Sequence, residues 1–177
     1  ENLLQTLQSP RLQGASVERR VQYLLQTLVE NRREPFAYAG GHSTVAAETW
    51  RLRRGDCLSL TVLAYAISQQ LRLRTVIQEV PVPPLYDRRG GIDHRVDHVN
   101  LWVERETPQD VASMTSFKSG VVVDFEPSFG ATRLGTALGA RAILARYYNN
   151  LAAEHLVAGD TRLAYAHMRA AIETDPI

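Results

Sequence analysis

The sequence predicts an α+β fold, a helical half followed by an antiparallel sheet, with a helical hairpin at the C-terminal end. Three observations carry this. Apolar residues recur at helical spacing between Ser16 and Leu71. The period shortens to two, with β-branched residues, between Arg74 and Pro127. Two further helical patterns, separated by Gly159-Asp160, close the chain.

Residues 16–31, SVERRVQYLLQTLVEN, place Val17, Val21, Leu24, Leu25 and Leu28 three or four apart behind Ser16, whose hydroxyl suits an N-cap. REPFAYAGGHST, with Pro35, Gly40 and Gly41, reads as a loop, and VAAETWRLRR as a short helix ending near Gly55. Asp56 then caps a longer helix with the stripe Leu60, Leu63, Ala64, Ile67 and Leu71. TVIQEVPV is a strand that stops at Pro83-Pro84, LYDRRGGIDHRVD a polar hairpin loop or flap, and HVNLWVE an alternating second strand. GVVVDFEP, residues 120–127, is a third strand ended by Pro127. ARYYNNLAAEHLVAGD and TRLAYAHMRAAIETDP supply the closing pair of helices.

Composition narrows the function classes. Of 177 residues 45% are hydrophobic and 22% charged, the balance of one ordinary domain with its own core. The 20 basic and 19 acidic side chains leave a charge of +1, so no global field recruits nucleic acid or anionic lipid. The pairs Arg19-Arg20, Arg32-Arg33, Arg53-Arg54 and Arg88-Arg89 read as solvated faces. No apolar run reaches the roughly 18–20 residues of a membrane span. The single cysteine excludes an internal disulfide and a cysteine-rich zinc site.

That cysteine, Cys57, stands at the predicted start of a helix, where free N–H groups and the positive dipole end lower a thiol pKa. A nucleophile so placed needs a base, and the base needs an orienting group. His98 opens the second strand and Asp124 closes the third, each at the edge of a regular element. His94 is the rival base and Glu126 the nearest substitute for Asp124. HRVDH also offers His94, Asp97 and His98 as metal ligands, but the i,i+4 pair works on a helix and no HExxH glutamate accompanies it. No metal is therefore expected. Alone, without the His and Asp, Cys57 reads more readily as a small buried hydrophobe than as a nucleophile.

These residues carry a resemblance. GDCLSLTVLAYAISQQLRLRTVIQEV, HVNLWV and VVVDFEP resemble the three motif blocks of the transglutaminase-like superfamily, the papain-like group with a Cys-His-Asp triad. FAYAGGHSTVAAETWRLRRGDC resembles the approach to Gly-Asp-Cys in bacterial members. The likeness covers about residues 16–130 and puts Cys57, His98 and Asp124 at the triad positions. It implies a cysteine peptidase or amidase that forms a thioester, resolved by water, or by an amine in a true transglutaminase. It also implies an oxyanion donor upstream of the nucleophile, for which Trp50 and Tyr38 are candidates beside the Cys57 N–H. His94 and Trp102 are candidates for the substrate groove, and Trp50 and Trp102 read equally as core aromatics. No cofactor is implied.

The closing helices, with Ala152, Ala164, Ala171 and Asp175-Pro176, resemble one tetratricopeptide repeat of ~34 residues. The organisation expected is a transglutaminase-like domain over 1–135 and a helical hairpin over 136–177 that presents or recruits a protein partner. A periplasmic or cell-envelope location is expected from the start at Glu1 without Met. Two other classes compete with the enzyme: a catalytically silent module of the same kind used for binding, and a repeat scaffold in which Cys57 is structural.

Overall fold

Side-chain caps set the starts of the two helices that build the core. The computed structural model describes residues 3–105, 119–126 and 135–176. It opens with two short helices, α1 (Leu3–Leu7) and α2 (Pro10–Gln13). In α3 (Val17–Leu28) the N-cap Ser16 accepts from the Arg19 N–H, and in α5 (Cys57–Gln70) the N-cap Asp56 accepts from the Ser59 N–H. Between them α4 (Ala46–Leu52) ends at Arg53, a left-handed residue with φ 54°. The flanking dipeptides β1 (Ala37–Tyr38) and β2 (Arg54–Gly55) form a short parallel pair.

The remaining strands form one antiparallel sheet in the order β5-β4-β3-β6: β3 (Thr75–Arg89), β4 (Ile92–Glu104), β5 (Gly120–Val123) and β6 (Thr136–Ala137). Two expectations are corrected here. β3 does not stop at Pro83-Pro84 but continues to Arg89, with a register shift between Val80 and Leu85. Pro81, Pro83 and Pro84 all fall inside that shift, where an interrupted ladder has no need of their missing N–H groups. The segment expected as a polar flap is thus the outer half of a long β-hairpin. Its turn is Gly90-Gly91, with φ of 56° and 80°, the positive values that a two-residue turn of this hand requires. Pro127, expected to end β5, lies outside the described residues.

Every member of the predicted α5 stripe, Leu60, Leu63, Ala64, Ile67 and Leu71, is at most 3% exposed. Leu63, Ala64, Ile67 and Leu71 share one core cluster with Val21, Leu24 and Leu28 of α3 and with Ile77, Leu101, Val103 and Val123 of the sheet. Each fully buried aliphatic side chain contributes about 1.5–3 kcal/mol, so α5, clamped on both sides, is a rigid base for the residue at its first position.

Helices α6 (Ala140–Val157) and α7 (Thr161–Thr174) form the expected hairpin, turning at Gly159 with Asp160 capping α7. The hairpin is tied to the body. Ile143 packs on the core, Arg146 pairs with Glu79 at 2.7 Å, Asn150 donates to Asp56 at 3.0 Å, and Glu154 accepts from the Ser43 N–H at 2.7 Å. No helix among the described residues is long and apolar enough to cross a membrane.

Candidate active site

The Gly-Asp-Cys triplet has a local reason for each member. A Cβ on Gly55 would stand 2.8 Å from the Ser59 Cβ and 3.3 Å from the Thr49 methyl, so only glycine fits below the first turn of α5. Asp56, 5% exposed, gives one carboxylate oxygen to the Ser59 N–H at 2.7 Å and the other to the Ser43 hydroxyl and the Asn150 amide. Cys57 follows as the first residue of the helix, half-buried and reduced.

The Cys57 sulfur lies 3.9 Å from the Asp97 carbonyl oxygen and receives the backbone N–H groups of Val99 and Leu58. It therefore rests on the main chain at both neighbours of His98. His98 is 1% exposed, and its Nε2 lies 3.0 and 2.9 Å from Oδ1 and Oδ2 of Asp124, at the end of β5. An ionised carboxylate can only accept, so Nε2 carries a proton, and Nδ1 is the nitrogen that can present a lone pair. Asn100 Nδ2 and the Glu126 N–H also donate to Asp124, at 3.0 and 2.9 Å. Burial pushes the Asp124 carboxyl up, but the bonds from His98, Asn100 and Glu126 outweigh it and hold its pKa below the usual 3.8.

Two residues of this network were not among the sequence candidates. Asn100 is fully buried and accepts from Gln78 Nε2 at 2.9 Å, giving a buried chain Gln78, Asn100, Asp124, His98. Its signal is present in the strand pattern: Asn100 shares the parity of His98, a second polar residue on one face of an otherwise apolar run.

One electrostatic expectation is overturned. The helix start does not depress the Cys57 pKa; it is pushed up to about 12, first by burial and then by the Asp56 carboxylate, with Asp124 adding to both. The Val99 and Leu58 N–H groups act in the opposite sense and do not win.

Tyr38 and Trp50 separate. Tyr38 lines the cavity beside Cys57, and its phenol is pushed up to about 12 by burial, then by Cys57 and Asp56, so it keeps its proton as a donor. Trp50 instead stacks near Phe36, 5.8 Å between ring centres, under the Arg53 guanidinium; it does not line the cavity and is corrected to a packing residue. Trp102 is corrected likewise: its ring covers Gly120 at the β4–β5 contact and does not line the cavity. His94 does line the cavity, and its buried Nε2 has no hydrogen-bond partner among the described residues. Among the described residues no group of three or more His, Cys, Asp or Glu is placed to hold a metal ion.

The cavity itself holds about 730 Å³. One wall is Tyr38, the start of α5 and the outer part of β4, and the other is the α6–α7 hairpin. No protein-family model matches this chain, and neither a curated protein nor a solved structure does.

Proposed function

We propose that the chain is a cysteine-dependent hydrolase of peptide or protein amides, of transglutaminase-like type. The observation that carries this reading is the buried His98–Asp124 pair with the Cys57 sulfur lying against the main chain on either side of His98 and opening into a cavity.

With its pKa pushed up to about 12, Cys57 starts as the protonated thiol. His98 Nδ1 takes the thiol proton as sulfur attacks the amide carbonyl, and Asp124 stabilises the imidazolium through Nε2. The Cys57 N–H, one of the helix-start donors without an intrahelical acceptor, and the Tyr38 hydroxyl receive the oxyanion. Collapse breaks the C–N bond, His98 returns the proton to the leaving amine, and an acyl-thioester remains. Water attacks the thioester with His98 as base, releasing the acid and restoring the thiol.

The raised thiol pKa favours one other reading, a silent module of the same build that binds without turnover. Incubation of the full chain and Cys57→Ala with a carboxymethylated, unfolded protein, followed by mass spectrometry, separates these. New amino termini produced by the wild type alone support hydrolysis. Isopeptide cross-links would indicate acyl transfer, and an unchanged substrate the silent module.

A further inference from the structure

One strand edge next to the cysteine has backbone groups to offer. Arg89 and Ile92 pair across the two-residue turn and so exchange both backbone bonds, after which direction alternates along β4. Ile92, His94, Val96 and His98 turn N–H and C=O toward β3, whereas Asp93, Arg95, Asp97 and Val99 turn theirs outward. The sulfur contacts agree with this parity, since Cys57 meets the Asp97 carbonyl and the Val99 N–H. Among the described residues β5 covers this outer edge only over Leu101–Glu104, and nothing pairs as a strand with Asp93 or Arg95 on that side. All residues from Ile92 to Asp97 line the cavity, the pattern of a strand bordering a space by its edge rather than by one face.

The opposite wall is apolar. Leu156, Val157, Tyr165 and Met168, all exposed, face the same cavity from α6 and α7. The lining cations are all paired, Arg95 with Asp97 at 3.1 Å, Arg146 with Glu79 at 2.7 Å and Arg89 with Asp87, and Asp93 is paired with Arg88 at 3.7 Å, while the carboxylates of Asp56 and Glu154 are held by the neutral donors Ser43, Ser59 and Asn150. No lining cation is left over for an acidic segment.

We propose that the groove takes an extended, uncharged polypeptide segment as an added strand on β4. Its backbone bonds to Asp93, Arg95 and Asp97, its alternate apolar side chains lie on the α6–α7 wall, and its run toward Asp97 brings an amide to Cys57. The five β4 residues Asp93–Asp97, at about 3.3 Å each, face about five residues of the segment. This rests on reading Cys57 as the nucleophile, and it turns the C-terminal hairpin from a recruiting appendage into a substrate wall.

The test measures binding without turnover, in the full chain carrying Cys57→Ala, so a failure of chemistry cannot be mistaken for a failure of docking. The probes are fluorescent, capped hexapeptides with Leu or Phe at alternate positions and Thr between them, and two N-methylated versions of each, blocked on odd or on even amides. Strand addition predicts that one N-methylated series loses at least about tenfold in affinity, about 1.4 kcal/mol, while the other binds as the parent. Arg95→Pro removes one outward N–H without touching a β3 bond and should cost a similar factor, whereas Arg95→Ala should not. Tyr165→Ala with Met168→Ala should weaken every probe. Parents that do not bind, or N-methylated series that both bind or both fail, would overturn the proposal, and these ligand-side outcomes hold even if Arg95→Pro does not fold.

Discussion

His98 Nε2 sits within 3.0 Å of both oxygens of the Asp124 carboxylate, and the same carboxylate takes the Asn100 amide and the Glu126 N–H. A buried acceptor with three donors sets the ring's tautomer, and that tautomer decides which nitrogen can act as a base.

Asp124 makes stability depend on acid in a defined sense. Its folded pKa lies below the ordinary carboxyl value, so the unfolded chain binds the proton more readily. The contribution is complete above about pH 3.9 and is lost as pH falls through the folded value. Urea midpoints of wild type and Asp124→Asn should therefore differ at neutral pH, and the gap should narrow as pH falls below the ordinary carboxyl value; a constant gap would contradict the assignment.

Asn100 links two side chains that have no access to water. Asn100→Ala leaves the Gln78 amide and one Asp124 lone pair without a partner, at a cost of about 1–3 kcal/mol. Asn100→Asp should be worse, because it sets a second carboxylate 3.0 Å from the first. Chemical denaturation at pH 7 gives the order wild type, Asn100→Ala, Asn100→Asp in falling stability.

Cys57 predicts the alkaline limb. The folded thiol, at about 12, holds its proton more tightly than a free thiol near 8.5, so its share of stability is full below about pH 8.5 and declines as pH rises toward the folded value. Iodoacetamide should react with the folded chain with an apparent pKa well above 8.5, and with the urea-unfolded chain near it. Asp56→Asn should move the folded value down, since it removes the second-largest cause of the rise.

Gly55 is fixed by space. Gly55→Ala drives a methyl against Ser59 and Thr49, an overpacking worth about 1–3 kcal/mol. Beyond the lower thermal midpoint, it should alter Cys57 alkylation, because the contact lies beneath the first turn of α5.

Local signals made the helices, the cap at Asp56 and the order Cys57, His98, Asp124 legible, because each depends on a few neighbouring residues. The long hairpin was obscured: a strand pair exposed on its outer half reads as polar loop, and three prolines suggest a stop where the structure has a register shift. Trp50 and Trp102 were misplaced because an aromatic's type does not tell which way its strand or helix turns it. Asn150 and Glu154 reach Asp56 and Ser43 across about a hundred residues, and no local pattern encodes such a contact. The thiol's direction was missed because the terminus was weighed without the desolvation and the carboxylate beside it.

The most direct measurement is the reaction of p-nitrophenyl acetate with the full chain, followed by p-nitrophenol release and by the mass of the acylated protein. The account predicts acylation at Cys57, turnover of the thioester, and a rate that falls by about 10³-fold or more in His98→Ala and substantially in Asp124→Asn. If wild type and His98→Ala are acylated equally, with the pH profile of an ordinary thiol and no turnover, Cys57 is not a nucleophile served by His98.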